Sequence, residues 1–224
     1  MTQTITDSWE EILENVVNGT YTSKYVVGDT KTIDLGTEGK VAMEIVGMDT
    51  DDLSDNSGKA HITWISKQLL NTSHRMNPAL NNGIEGTGAL GGWEKTEMRS
   101  YLKETVKPLI PETVRNAIKT VKKYTRIYNA AGSAVNNVLT TEDVWIPSYQ
   151  EIFGSYSLES NGVYYSSAFL SDASCIKSKP DFSAAWWWLR SAYSASYFYD
   201  IRTNGIFNRY APYHAGGVAL GFCT

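Results

Sequence analysis

The sequence of 224 residues has little cysteine and no long apolar run. Its two cysteines, Cys175 and Cys223, are too few for a disulfide framework, so we expect each to be a free, buried thiol. A transmembrane helix needs about 20 consecutive apolar residues, so we expect no membrane insertion. The opening residues, MTQTITDSWEEILENVV, are acidic and lack a basic flank before an apolar run, which predicts no secretory signal in this chain.

Positive charge is also sparse. The chain has 20 Lys and Arg against 24 Asp and Glu, for a formal net charge of −4, and the basic residues are scattered. Binding to a phosphate backbone needs clustered Lys and Arg side chains. The sequence therefore predicts no nucleic-acid partner.

Motifs for metal binding and catalysis are missing. His61, His74 and His214 lie far apart, and the acidic run DTDDLSD (49–55) lacks the Gly and the terminal Glu of a calcium-binding loop, which favours a solvated turn. The sequence has no nucleophile elbow, no phosphate-binding loop and no carboxylate pair that spacing singles out. We therefore expect no metal, no cofactor and no catalytic residues, and hence not an enzyme.

What is present predicts an α+β fold with small sheets, two helices and long loops. Residues 1–22 are predicted to form a helix or linker, in which Ser8 and Glu11 stand in capping-box register and Ile12, Leu13, Val16 and Val17 form one apolar stripe. Residues 23–224 are predicted to form the main domain. It begins with the strands KTIDL, KVAMEIVGM and AHITWIS. Two helices follow, over 93–106, where Pro108 ends the first helix, and over 111–118. After them come the strand KTVKKYTRIY, a small-residue loop, and a strand and helical turn in VWIPSYQEIFG.

The run AAWWWLRS has two interpretations. In a strand, Trp186 and Trp188 face one side and Trp187 the other. The three rings form either an aromatic platform for sugars or, as the following Leu189 favours, part of a central strand that is packed on both faces.

The segment YFYDIRTNGIFNRYAPYHAGG has the spacing of a β-hairpin, with its turn at Thr203, Asn204 and Gly205. A two-residue loop would place Ile201 opposite Asn208, and a three-residue loop, which we prefer, would place it opposite Phe207. The preferred register points Ile201 and Phe207 to the core, and the other face then receives Asp200, Arg202, Ile206 and Asn208. Large polar and aromatic side chains of this kind are typical of binding surfaces.

Several segments together resemble a known family. The chain combines GGWEKTEMRSYL, VWIPSYQEIFG, WWLRS, a Tyr-, Ser- and Asn-rich hairpin and a final GVALGFC. In this combination, from about Gly28 to the end, it resembles the C-type-lectin-fold variable proteins of diversity-generating retroelements, in the branch common in gut phages and prophages. The resemblance implies a C-type-lectin-like fold, in its formylglycine-generating-enzyme-like variant, with the first and last strands adjacent.

In that family, error-prone copying at adenines randomises Asn codons near the end of the gene. Randomised AAC or AAT codons cannot encode Lys, Glu, Gln, Met or Trp. These five types number 41 in residues 1–190 and are absent from residues 191–224, where about seven are expected by proportion. The composition agrees with a variable region over about 191–217.

The resemblance also assigns roles to residues. As scaffold it implies Trp187, Trp188, Leu189, Phe198, Gly205, Phe207, Gly217 and Val218. As variable, ligand-binding positions it implies Tyr193, Ser196, Tyr197, Asp200, Arg202, Asn204, Ile206, Asn208, Arg209, Tyr210, Pro212, Tyr213 and His214. Among these, we expect Asp200, Arg202, Asn208, Tyr210 and Tyr213 to be exposed and close together.

The function implied is receptor or ligand binding through a hypervariable surface. The resemblance implies a phage tail or a bacterial cell surface as its location, within a larger assembly, and a protein or glycan target whose identity, like the oligomeric state, the sequence does not reveal. The Glu-Pro-Asn, Gln-Pro-Asp and Trp-Asn-Asp motifs of calcium-dependent lectins are missing, and Cys175 and Cys223 do not match the paired cysteines of formylglycine-generating enzymes. The alternative function is a carbohydrate-binding module or glycan-active enzyme that uses the Trp run.

Overall fold

The computed structural model describes residues 2–181 and 183–224, and these form an α+β fold of small antiparallel sheets and short helices. The strands are β1 (Thr30–Asp34), β2 (Lys40–Met48), β3 (Ile62–Ser66), β4 (Val121–Tyr128), β5 (Ala134–Glu142), β6 (Lys177–Ser178), β7 (Ala184–Ala185), β8 (Trp187–Ser194), β9 (Tyr197–Ile201), β10 (Phe207–Tyr210) and β11 (Gly221–Cys223). The α-helices are α1 (Trp9–Val17), α2 (Tyr21–Lys24), α3 (Glu97–Tyr101), α4 (Glu112–Ala117), α5 (Tyr149–Phe153) and α6 (Asp172–Cys175). Within the described residues, none of these helices has the length and apolar character needed to cross a bilayer.

The N-terminal sheet has the strand order β1-β2-β3-β11 and is antiparallel throughout. The last strand therefore returns to the N-terminal strands, with Phe222 opposite Trp64, but it lies beside the third strand and not beside the first as expected. The outer edge of β1 is already covered, because the N–H of Ile5 donates to the carbonyl of Thr30 at 2.7 Å. The N-terminal segment thus occupies this edge of β1 at Thr30.

Helix α1 begins at the predicted capping box. Ser8 Oγ accepts from the N–H of Glu11, and the Glu11 carboxylate accepts from the N–H of Ser8. Of the predicted apolar stripe, Ile12 and Val16 are buried in the main hydrophobic core, whereas Val17 is 85% exposed. The helix thus packs on the domain through a narrow stripe.

The predicted helix over 93–106 is not one continuous α-helix. A 3₁₀ turn over Trp93–Lys95 is followed by α3, which Thr96 caps by accepting from the N–H of Arg99 at 3.1 Å, and then by a π-helical turn over Leu102–Val106. A further 3₁₀ turn over Lys107–Leu109 passes through Pro108, so the proline does not end the helical segment. The second predicted helix is confirmed as α4, and other 3₁₀ turns lie at Gly36–Glu38 and Ser157–Glu159.

Strand β5 was not predicted. Its sequence AVNNVLTTE was interpreted as a loop, and most of its residues are exposed or half-buried, so hydrophobic alternation gives no signal. The strand forms because the predicted β4 provides a paired backbone, with Lys123 opposite Thr140. The strand expected in VWIPS is absent from the described residues, although Trp145 makes a single bridge to Gly221.

A cluster of buried charges, which we call the ionic core, lies behind β8 and consists of Asp51, Lys123, Glu151 and Arg190. Lys123 Nζ contacts Asp51 Oδ1 at 2.5 Å and Glu151 Oε1 at 2.9 Å, and Arg190 Nη2 donates to Glu151 Oε1 at 2.9 Å. The interpretation of the acidic run over 49–55 as a solvated turn is therefore wrong for Asp51, which is fully buried and paired. The negative charges of the two carboxylates balance the positive charges of Lys123 and Arg190, as buried charges require.

Strand β8 is packed on both faces, as the central-strand interpretation of the Trp run predicts. The indole N–H of Trp188 donates to the carbonyl of His74 at 3.1 Å on one side, and that of Trp187 donates to the carbonyl of Cys175 at 3.0 Å on the other. The two rings belong to two separate hydrophobic clusters. Cys175 and Cys223 are both free and buried, which confirms the prediction for the thiols.

Candidate ligand-binding site

The hairpin β9–β10 has the predicted three-residue turn. Ile201 lies opposite Phe207, and the N–H of Arg202 donates to the carbonyl of Ile206 at 2.9 Å across Thr203, Asn204 and Gly205. Gly205 has φ +85°, and a Cβ at this position would lie 1.8 Å from the carbonyl oxygen of Asp172 in α6. Only glycine fits here, because the turn requires a left-handed backbone and the hairpin tip rests directly on α6.

The sheet order β10-β9-β8 decides which hairpin residues are buried. Ile201, on the central strand, is fully buried, but its partner Phe207, on the edge strand, is 47% exposed. The assignment of Phe207 to the core scaffold is therefore wrong. Its ring lies instead at the surface, edge-on to Tyr149 at 5.1 Å and to Phe153 at 5.7 Å between ring centroids. The other predicted scaffold residues are buried.

The predicted variable positions differ in exposure. The exposed ones are Tyr197, Arg202, Asn204, Ile206, Arg209, Tyr210 and Tyr213, and the partly exposed ones are Tyr193, Ser196, Asn208 and His214. Asp200 and Pro212 are buried. The expectation of an exposed Asp200 is wrong because β9 lies between two strands, and Pro212 is buried because its carbonyl accepts from the backbone of Met76 and Asn77 at 2.9 and 3.1 Å.

A pocket of about 280 Å³ opens on the face of the hairpin that carries Asp200, and we call it the hairpin pocket. It is lined by Trp186, Asp200, Arg202, Thr203, Asn208 and Tyr210. Four of these six residues are predicted binding positions. The cross-strand pair of Asp200 and Asn208 brings them together with Arg202 and Tyr210, which lie two residues further along the chain from each. The pocket is therefore built by the hairpin register.

Trp186 forms one wall of the hairpin pocket and was not predicted as a site residue. Its half-buried ring lies edge-on to Trp188 at 4.9 Å and tilted against Tyr210 at 5.1 Å. A Cβ on Gly216 would approach the Trp186 ring to 2.3 Å, so this glycine makes room for the indole. The sequence signal for Trp186 was its position as the first residue of the Trp run. It precedes β8, so the sheet does not enclose its ring.

Asp200 dominates the electrostatics of the pocket. It is 2% exposed, and its Oδ2 accepts from Asn208 Nδ2 at 3.3 Å. Its Oδ1 is also buried and accepts no hydrogen bond from any residue that the structure describes. Burial raises the pKa of Asp200 to about 6, despite the opposing effects of the Asn208 hydrogen bond and the Arg202 charge.

The opposite face of the hairpin has a smaller hollow of about 110 Å³, lined by Tyr193, Tyr199, Phe207, Asn208 and Arg209. Here two of the polar side chains form a hydrogen bond with each other. Arg209 Nη1 donates to Tyr193 Oη at 2.7 Å, and the guanidinium lies 4.6 Å from the centre of the Tyr193 ring. The predicted positions thus divide between two faces and do not form one continuous patch.

The hairpin pocket is lined by groups that can form hydrogen bonds and aromatic contacts. Its side chains provide a carboxylate, an amide, a guanidinium, hydroxyls and an indole, arranged around a concave surface. Among residues 2–181 and 183–224, no three His, Cys, Asp or Glu side chains are placed to hold a metal ion.

Comparison with family models places this site within a family. Residues 67–223 match the model described as a domain of unknown function, DUF6273. The chain belongs to the DUF6273 family. The DUF6273 match takes in β4 to β11, the hairpin pocket and the whole hairpin, whereas β1 to β3 precede it. No curated protein and no solved structure matches the chain.

Proposed function

We propose that this DUF6273 protein is a ligand- or receptor-binding protein whose hairpin β9–β10 presents changeable side chains on a fixed frame. The hairpin pocket carries the proposal, because it gathers Asp200, Arg202, Asn208 and Tyr210 on one face. Directly behind them, Trp188 and Ile201 are fully buried. A surface of this kind can change its side chains without disturbing the core.

Within the same proposal, the fold is C-type-lectin-like and the chain is a variable protein of a diversity-generating retroelement. The return of β11 to the N-terminal sheet supports the fold assignment. The absence of Lys, Glu, Gln, Met and Trp from residues 191–224 supports the retroelement origin. The protein then acts by binding and not by catalysis, at a phage tail or bacterial cell surface, against a protein or glycan target.

Two displayed libraries test this proposal. The first randomises the codons of Arg202, Asn204, Ile206 and Tyr210, and the matched control library randomises four buried positions, Trp187, Leu189, Phe198 and Val218. We expect most members of the first library to resist proteolysis as the parent does and most of the second to be degraded. Equal losses in the two libraries would contradict a fixed frame with a changeable face.

The genetic part of the proposal has its own test. Sequencing of the DNA next to the gene should reveal a near-copy of codons 191–222 that differs at adenines, beside a reverse-transcriptase gene. A complete genome of the source without such a copy would reject the retroelement origin, while the library experiment would still test whether the hairpin is a changeable face on a fixed frame.

A carbohydrate-binding module is the second candidate function. The observation that favours it is the aromatic wall formed by the half-buried Trp186 and the exposed Tyr210 next to Asp200 and Asn208, since sugars stack on rings and bond to carboxylates and amides. A glycan array probed with and without calcium is the test. Sugar binding that Trp186→Ala removes would favour this candidate over binding of a protein target.

A further inference from the structure

The unpartnered oxygen of Asp200 indicates what the hairpin pocket binds. A buried carboxylate is normally paired or fully hydrogen-bonded, because desolvation without a partner is costly. Asn208 satisfies Oδ2 only, and Oδ1 accepts from none of the described residues. A hydrogen-bond donor bound in the pocket would satisfy this carboxylate.

The one cation on the pocket wall does not take this role. Arg202 lines the pocket, but its side chain is exposed and makes neither an ion pair nor a hydrogen bond with Asp200 within the described part of the chain. Its backbone is instead held by the turn through Ile206. The charge of Asp200 is therefore left for a ligand.

The rings beside Asp200 favour a charged donor. Trp186 and Tyr210 lie 5.1 Å apart at an angle of 59° and form two walls next to the carboxylate. Aromatic faces attract cations, and a charged donor bonds a carboxylate about twice as strongly as a neutral one. The net charge of −4 on the chain adds a weak attraction of the same sign.

We propose that the hairpin pocket binds a primary alkylammonium group, supplied by a lysine side chain on the surface of a protein target. The ammonium donates to the Asp200 carboxylate, and its methylene groups lie against the sides of Trp186 and Tyr210 that line the pocket. This inference rests on the proposed binding function of the hairpin and specifies the ligand. A volume of about 280 Å³ is sufficient for one such side chain.

Titration with Nα-acetyl-lysine amide, followed by the fluorescence of the tryptophans and by NMR, tests the proposal. We expect binding with a Kd of about 1 mM, as is typical for a single anchoring group, and no binding of Nα-acetyl-norleucine amide, which has the same chain without the charge. Asp200→Asn keeps the shape and an acceptor oxygen but removes the charge, and should weaken lysine-amide binding at least tenfold. The matched control Asp55→Asn removes an exposed carboxylate elsewhere and should bind as the parent does.

The outcomes separate the ligand class from the function. Equal binding by Asp200→Asn and the parent, equal binding of the norleucine amide, or binding of methyl glucoside in place of the lysine amide would each overturn the ammonium assignment. The library experiment does not depend on the ligand, so a tolerant hairpin together with any of these results rejects only the lysine proposal. Failure of the library test rejects the binding function itself. Free n-butylammonium should bind about as the lysine amide does, and binding of the free amine at least tenfold tighter than the lysine amide would point to a small amine and overturn the assignment to a protein target.

Discussion

Glu151 of α5 and Asp200 of β9 are both buried carboxylates, with 1% and 2% of their surfaces exposed. Glu151 accepts from Lys123, from Arg190 and from the backbone of Ser148. Burial alone would raise the pKa of Glu151, but these partners hold it at about 2. Asp200 has one amide partner, and burial raises its pKa to about 6.

The two buried carboxylates therefore have opposite effects on stability. Every carboxylate oxygen of Glu151 has a donor, so the charge stabilises one arrangement of α5, β4 and β8. The charge of Asp200 instead costs stability, which supports the proposal that this residue serves binding. Four experiments test this comparison.

The largest effect should come from breaking the ionic core. Glu151→Ala leaves the buried Lys123 without one of its carboxylates and Arg190 without its own, so we expect the free energy of unfolding in urea to fall by about 3–5 kcal/mol. The parent should also lose stability as pH falls from about 5 towards 2, because the pKa of Glu151 is lower in the folded than in the unfolded chain. A loss below 1 kcal/mol would mean that the ionic core does not hold the sheet.

The second experiment compares two aromatic residues that the sequence treated alike. Trp188→Ala empties a fully buried volume and should cost about 3–5 kcal/mol. Phe207→Ala removes a ring that is 47% exposed and should cost only about 1 kcal/mol. Urea melts of both variants measure the two losses in the free energy of unfolding. Equal losses would show that Phe207 belongs to the core.

Asp200→Asn should raise the free energy of unfolding, whereas Glu151→Ala and Trp188→Ala should lower it. The folded pKa of about 6 lies above the unfolded value of 3.8, so the ionised carboxylate opposes folding above pH 6 and not below about pH 4. We expect the variant to be more stable than the parent by about 1–2 kcal/mol at pH 7, less than the full equivalent of the pKa shift because solvent in the open pocket screens the charge. The gain should disappear below pH 4, and a loss of stability at pH 7 would show that the charge of Asp200 is structural.

The smallest effects should come from the exposed face. Arg202→Ala and Tyr213→Ala should each change the free energy of unfolding by no more than about 0.5 kcal/mol, since both side chains are exposed. Melts at the same urea concentrations as for Glu151→Ala make the comparison direct. Losses above 2 kcal/mol at either position would remove the distinction between frame and face.

The local features of this protein could be predicted from its sequence. The capping box of Ser8 and Glu11, the three-residue turn that ends at Gly205 and the two-sided packing of Trp187 and Trp188 each follow from residues that are neighbours along the chain. Capping, turn conformation and strand alternation depend on local backbone geometry, which residue type strongly restricts.

Which residues are buried and which are paired depends instead on how distant segments pack together. Asp200 became buried and Phe207 exposed because β9 is the central strand and β10 the edge, and strand order is not encoded in the hairpin. Lys123 and Glu151 meet across 28 residues, and the polar strand β5 forms because β4 lies beside it. Burial and ion pairing are properties of chain segments that meet in space, so periodicity along one segment does not reveal them.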